Sequence, residues 1–421
     1  MTSLDRRSFL ARSAALTGAA GAAFATGARA ADTPAAPAGA PTTPGAAVEG
    51  VNLATVQPFS GVHQSGILNR APANATLLAF DSVAADGRTL MAALQALSAR
   101  ARDLAVGGPV PLLEADAPPA DSGILGPDNA PDALTVTIGF GASLFDGRYG
   151  LAARRPAELT AMPTFPVDQL DPKLSHGDLL VQICAQHRDT VVHAVRELTR
   201  TVRGALAQRW SMDGFSGAGR GPSPKNSPRN LFAFRDGTAN PDTSDASLMN
   251  QLVWAGAGEP TWAVGGSYQM VRIIRMHVEF WDRVGLTEQQ NMIGRARGTG
   301  APLGGTTEFE DPRYDLDPHG KRIPLNAHIR LANPRSAATA TQRILRRGFN
   351  YHRGFDDAGQ LDQGLLFVAY NRSPSTQFAV IQNRLNAEPM TDYVTPIGGG
   401  YFFVPPGARS ASDFVGSGLF T

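Results

Sequence analysis

The spacing of apolar residues along this chain switches repeatedly between two periods. ATLLAFD (75–81) and LTVTIGF (134–140) are apolar runs of strand length, the second alternating in period two. Between them, RTLMAALQALSARARDL sets its apolar positions three and four apart, which predicts an amphipathic helix. GDLLVQICA followed by QHRDTVVHAVRELTRTVRGAL predicts a strand feeding a second helix. The other half of the chain repeats the recipe. GSYQMVRIIRMHVEFWDR (266–283) begins as a strand, and LTEQQNMIGR reads as a helix with Thr287 as its N-cap. QGLLFVAYNR then leads into SPSTQFAVIQNRL, strand into helix, with Ser373 as N-cap and Pro374 at the first helical position. Set side by side, GDLLVQICAQHRDTVVHAVREL and GLLFVAYNRSPSTQFAVIQNRL are one unit used twice. The pattern predicts two related α+β halves, each an antiparallel sheet covered by helices. The divide falls near residues 215–260, where SGAGRGPSPKNSPRN is rich in turn formers.

A length of 421 residues suits two or three domains, or one large one. The formal net charge of +1, with no Lys/Arg block, argues against nucleic acid as a partner. The single cysteine, Cys184, excludes an internal disulfide and reads as an inert strand residue of the core. Cys-x-x-Cys and the Cys-x-x-Cys-His of covalent haem attachment are both missing. Residues 1–30 have a basic start, an Ala/Leu-rich stretch and a small-residue end at Ala28-Arg29-Ala30, the layout of a signal peptide cut after Ala30. Arg6-Arg7 before Ser8-Phe9-Leu10 resembles the twin-arginine export signal, with Asp5 where Ser or Thr is usual. A membrane anchor needs about 20 apolar residues, and this segment is shorter and broken by glycines. Residues 31–55 read as a flexible Pro/Ala-rich leader. The expected location is therefore periplasmic or secreted, with no stable membrane anchor. The twin-arginine route carries folded proteins, which suits a protein that takes up a cofactor before export.

Among eight histidines, no pair has the His-Glu-x-x-His spacing of a zinc protease, and neither a Gly-x-Ser-x-Gly elbow nor a Walker A loop is present. Three stretches carry the candidate chemistry. NLFAFRDGTANPD (230–242) sets Arg235-Asp236 against Phe232 and Phe234. NAHIRLANPR places His328 in an apolar run that reads as a strand, and ILRRGFNY sets Arg346 and Arg347 between apolar residues and a Gly-aromatic pair. Taken singly, each has an ordinary structural reading. Together, an acid, an imidazole and a half-buried guanidinium are the parts a haem peroxidase needs. The iron needs a nitrogen ligand on one face. Peroxide on the other needs a base that moves a proton between its oxygens and a fixed cation for the developing charge. Arginine suits the last task because it stays protonated at any working pH.

With these residues in view, the chain resembles the dye-decolourising haem peroxidases, in particular the exported bacterial branch that includes deferrochelatase. The resemblance is carried by FRDGTANP, GSYQMVRIIRM, HIRLANPR, ILRRGF and DYVTPIGGGYFFVPP, in family order along the mature chain. It implies a pair of ferredoxin-like halves, residues 56–229 and 230–421, with a non-covalent haem b pocket mainly in the second. It implies Asp236 as distal acid/base, His328 as proximal iron ligand and Arg346 as distal arginine, with Arg347 as the neighbouring alternative. It further implies haem contacts from Gly237, Thr238, Ala239, Asn333, Pro334 and Arg335, the last as partner for a propionate. Asp392 resembles the carboxylate that accepts the proximal histidine's second N–H. Phe232 and Phe234 are expected to wall the distal pocket and keep it dry. The implied activity is reduction of hydrogen peroxide with oxidation of small organic donors or dyes. The alternative is release of iron from haem with the porphyrin intact, haem then being the substrate. A homo-oligomer is compatible with either. One departure stands out: the family's Gly-x-x-Asp-Gly motif begins here with Ala233. If that position takes positive φ, alanine strains the loop by roughly 1 kcal/mol or more.

Overall fold

The computed structural model describes residues 52–217 and 226–421. The export signal and nearly all of the leader lie outside the described residues, as do residues 218–225 of the turn-rich divide.

Eight strands carry the architecture. In the first half they are β1 (Asn74–Ser82), β2 (Thr135–Gly141), β3 (Leu179–Ala185) and β4 (Leu206–Phe215). In the second they are β5 (Ser267–Met276), β6 (Phe349–Phe355), β7 (Leu361–Asn371) and β8 (Val394–Val404). The first four lie side by side in the order β2-β3-β1-β4, and the second four in the order β8-β5-β7-β6. Numbered within its own half, each sheet runs 4-1-3-2 and all its pairings are antiparallel. Helix α1 (Gly87–Val106) connects β1 to β2, and α2 (Arg188–Thr201) connects β3 to β4. Helix α4 (Phe378–Leu385) connects β7 to β8, and a long excursion containing α3 (His328–Ala332) connects β5 to β6. Both halves are thus β-α-β-β-α-β units of ferredoxin-like form, as the repeated pattern predicts.

The two sheets also join at both edges. Phe402 and Phe403 of β8 pair with Gly141 and Phe140 of β2, and Phe215 of β4 pairs with Asn350 of β6. Because successive strand residues point to opposite faces, this closure buries both faces of most strands. In β2, Val136, Ile138 and Phe140 pack under α1 and α2 with Leu90, Leu94 and Leu198. Thr135 and Thr137 turn inward and are buried too, Thr137 donating to the Ser65 carbonyl at 2.7 Å. The alternation in LTVTIGF therefore marks two buried faces and not a solvent face. Cys184 lies inside the ring, fully buried, and burial pushes its thiol pKa up, so it is an inert core residue.

Two helix starts differ from the sequence expectation. The helix Leu286–Ile293 begins with Gly285 as its cap, so Thr287 lies inside it. Helix α4 begins at Phe378, because Ser373 and Pro374 form a preceding turn in which Ser373 Oγ accepts from Thr376 N. Among the described residues, no helix is long and apolar enough to cross a membrane.

Candidate active site

The outer face of the second sheet forms the floor of a large cavity. Arg272, Ile274 and Met276 of β5, Leu365 and Phe367 of β7, and Val394 and Pro396 of β8 line it at alternate positions. Helices α3 and α4 cover it, and among the described residues Val167 is the one lining residue from the first half. Asp236, His328 and Arg346 all face this cavity, although 92 and 18 residues separate them in turn along the chain.

Asp236 lies on the turn that follows the Phe232–Phe234 loop. Its Oδ1 pairs with Arg346 Nη1 at 2.7 Å, and both side chains are half-buried. Arg346 belongs to the two-residue edge strand Leu345–Arg346 that pairs with β7. Strand alternation sends Arg347 the other way. It is buried, donating to the carbonyls of Asn69 and Arg70, so Arg346 alone meets Asp236. A second cavity lies behind the pair and shares Asn230, Asp236, Asn240, Arg346 and Leu365 with the first, so the ion pair stands in the wall between them.

His328 opens helix α3 and is not in a strand, because Ala327 and the preceding turn at Pro324 set it at a helix start. Five helical residues are too few for their periodicity to show in the sequence. The ring's Nδ1 lies 2.6 Å from Glu388 Oε2, which leaves Nε2 without a protein partner among the described residues. Burial pushes the imidazole pKa down, but the charge and hydrogen bond of Glu388 outweigh it and the net shift is upward. Glu388, not Asp392, is therefore the carboxylate on the histidine. The short helix Pro389–Asp392 turns the chain so that Glu388, its cap, faces inward while Asp392 faces solvent. Both acids lie in one five-residue stretch, Glu388 to Asp392, and only the turn at Pro389 separates their roles.

The remaining sequence candidates divide. Ala239, Asn333 and Pro334 line the main cavity, whereas Gly237 lines the second one. Thr238 Oγ1 donates to Glu308 at 2.9 Å, away from both. Arg335 takes φ +57°, lies 3.5 Å from Asp311 and is absent from the cavity wall. Three arginines that sequence reasoning missed do line it: Arg272, Arg343 and Arg384, the last already donating to the Leu331 carbonyl at 2.8 Å and to Gln342 Oε1 at 2.6 Å. Arg272 is almost fully buried against Asp168, yet its Nε and Nη1 have no partner among the described residues, and Arg343 Nε is likewise unpartnered there. An arginine in the apolar run SYQMVRIIRM was the available signal for the first.

Phe232 and Phe234 do not wall the cavity. They pack on Trp281, at ring-centroid distances of 4.4 Å and 6.2 Å, inside a separate apolar cluster. Their loop is folded over Asn230, whose Oδ1 accepts from the backbone N–H of both. Ala233 sits at the tip with φ +68°. Ala233→Gly is therefore expected to stabilise the fold by about 0.5–1 kcal/mol once the greater freedom of glycine in the unfolded chain is subtracted, read as a higher midpoint of urea unfolding.

Arg235 is structural: Nη1 donates to the Ser227 carbonyl at 2.7 Å, and Nε lies 3.7 Å from Glu308. Buried Glu308 also accepts from Ser227 N, Asn226 Nδ2 and Thr238 Oγ1 at 3.1, 2.9 and 2.9 Å. Burial pushes its pKa up, and these hydrogen bonds more than reverse that, holding it below 4.5. A depressed carboxylate contributes stability that is present above the unfolded value and lost as pH falls through the folded one. Urea unfolding at about pH 7 and about pH 3.5 is expected to show this acid loss in the wild type and a smaller one in Glu308→Gln.

The fold agrees with what comparison shows. Residues 64–216 match the model for the N-terminal part of Dyp-type peroxidases, and residues 227–409 match that for the C-terminal part. The chain belongs to the Dyp-type peroxidase family. It is a haem-dependent peroxidase, acting on peroxide and organic donors. Among curated relatives, a deferrochelatase of Yersinia pestis is 48% identical over 366 residues, covering 86% of this chain and 84% of the relative. Among solved structures, a DyP-type peroxidase from Cellulomonas bogoriensis is 36% identical with a TM-score of 0.77, covering 87% of this chain and 98% of that one. Ferric DtpA from Streptomyces lividans is 35% identical with a TM-score of 0.77, covering 87% and 97%.

The cavity's own donors fit haem. An apolar sheet floor suits a flat macrocycle, and an imidazole with a free Nε2 suits its iron. Unpartnered buried N–H groups on Arg272 and on half-buried Arg343 suit carboxylates, since such groups are costly to leave unpaired.

Proposed function

We propose that His328 ligates the haem iron through Nε2 and that Glu388, on Nδ1, fixes the ring and raises its basicity. Arg272 and Arg343 hold the propionates, while Ala239, Asn333 and Pro334 contact the macrocycle. Haem, when bound, supplies the electrons that split the peroxide O–O bond and regains them singly from organic donors. Asp236 takes the proton from one peroxide oxygen and delivers it to the other. Arg346 stabilises charge on the departing oxygen. The observation that carries this reading is the 2.7 Å Asp236–Arg346 pair facing the same cavity as His328.

The test is an absorbance spectrum of the purified protein followed by peroxide-dependent bleaching of a dye. A Soret band together with bleaching supports the reading; haem binding without peroxide turnover sinks it. A second reading has its own support, since a 48% identical relative is a deferrochelatase. In it, the same pocket takes free haem as substrate and releases iron with the porphyrin intact. Incubation with haem under reducing conditions, read by porphyrin fluorescence, decides whether that activity is present.

We further propose export by the twin-arginine route to the periplasm or beyond, on the strength of Arg6-Arg7 and the Ala30 cleavage site. The domain division at 229/230 is supported by the repeated 4-1-3-2 order on either side of it.

A further inference from the structure

The strand Leu345–Arg346 pairs with β7 on one side and, among the described residues, with no strand on the other; Arg346 stands opposite Ala369 of β7. Arg347 N donates to the Val368 carbonyl at 2.7 Å, so the N–H and C=O of Arg346 turn away from β7. One side chain takes both of them. Asn240 Nδ2 donates to the Arg346 carbonyl at 2.7 Å, and Asn240 Oδ1 accepts from Arg346 N at 3.0 Å. A primary amide carries an acceptor and a donor side by side, as a peptide unit does, and so completes the edge as another strand would.

Asn240 stands on the same turn as Asp236, which is closed by Asn240 N donating to the Gly237 carbonyl at 3.0 Å. One five-residue turn thus grips Arg346 twice: Asp236 holds its guanidinium and Asn240 its backbone. An arginine side chain has many rotamers, and fixing its root restricts those that keep the guanidinium beside Asp236. We infer that Asn240 is a positioning residue that sets Arg346 against Asp236, an inference that rests on the roles proposed above for that pair. Aspartate, of the same shape, can accept from Arg346 N but cannot donate to its carbonyl.

The test uses haem-loaded wild type, Asn240→Ala, Asn240→Asp, Arg346→Leu and the double variant Asn240→Ala/Arg346→Leu. Three quantities are read: the second-order rate with hydrogen peroxide, the affinity of the ferric protein for cyanide, and KM for an organic donor. Either Asn240 change is expected to slow the peroxide reaction by about 10- to 100-fold. Cyanide affinity falls with it, and KM for the donor stays put. In the double variant, Asn240→Ala adds nothing to the loss already caused by Arg346→Leu, because both act on one interaction. Asn240→Asp, which keeps the side-chain volume, carries the test if Asn240→Ala folds poorly. Unchanged rates in both single variants, or losses that multiply in the double variant, overturn the positioning role while leaving the role of Arg346 intact. An Arg346→Leu protein with normal peroxide and cyanide behaviour overturns both.

Discussion

His328→Ala is expected to lose the Soret signature of an imidazole-ligated haem and, with it, peroxide-dependent dye oxidation. Among the described residues no other histidine lines the cavity, so none of them can take over the iron. The substitution also strands Glu388, which is 6% exposed and has its carboxylate on the His328 ring. A buried carboxylate without its partner is costly, so His328→Ala alone confounds ligation with folding. Glu388→Gln separates them. It keeps the shape beside Nδ1 and removes the charge, and a change of that kind next to a metal ligand costs roughly 10–100-fold in activity or metal affinity. The expected order is therefore wild type, then Glu388→Gln with its Soret band retained, then His328→Ala with neither band nor activity. An Asp392→Asn protein should match wild type, since Asp392 faces solvent. A normal spectrum in His328→Ala would remove His328 from the iron, and a defect confined to Asp392→Asn would return the carboxylate role to that residue.

Local pattern made the halves of this fold readable, and longer-range pairing made their union invisible. Strand and helix periods in LLVQICA, ALQALSARARDL and LLFVAYN reflect burial that each segment achieves against its own neighbours. Closure of the two sheets depends on a few pairs such as Phe402–Gly141 and Phe215–Asn350, which leave no periodic trace. The acid, the histidine and the arginine of the site were legible because charged groups inside apolar runs are costly and therefore conspicuous. What holds them was not. Glu388 and Asp392 lie four residues apart, and only the turn at Pro389 points one of them inward. Phe232 and Phe234 looked like pocket wall because they flank Asp236 in sequence, but the tight turn over Asn230 carries both rings to Trp281. The positive φ of Ala233 belongs to that same turn, and alanine advertises none of it.

Asp236→Asn is the sharpest probe of the chemistry, because asparagine keeps the shape and an oxygen for Arg346 while losing the site that accepts a proton. The second-order rate with hydrogen peroxide is expected to fall by about 10²- to 10⁴-fold, the usual weight of a positioned general base. Haem content, the Soret band and the thermal midpoint should stay close to wild type, since Asp236 is half-buried and the asparagine oxygen can still accept from Arg346 Nη1. A rate within a fewfold of wild type would place the base elsewhere in the pocket. The same variant also divides the two activities considered for this cavity. Peroxide cleavage needs a proton moved between two oxygens, and Asp236 is the acid that shares the cavity with Arg346 at ion-pair distance. Release of iron from haem needs no O–O bond to break, so it should not depend on that proton transfer. An Asp236→Asn protein that no longer turns over peroxide but still frees porphyrin from haem would show one pocket serving two reactions through different side chains. Loss of both together would tie iron release to the Asp236–Arg346 pair as well.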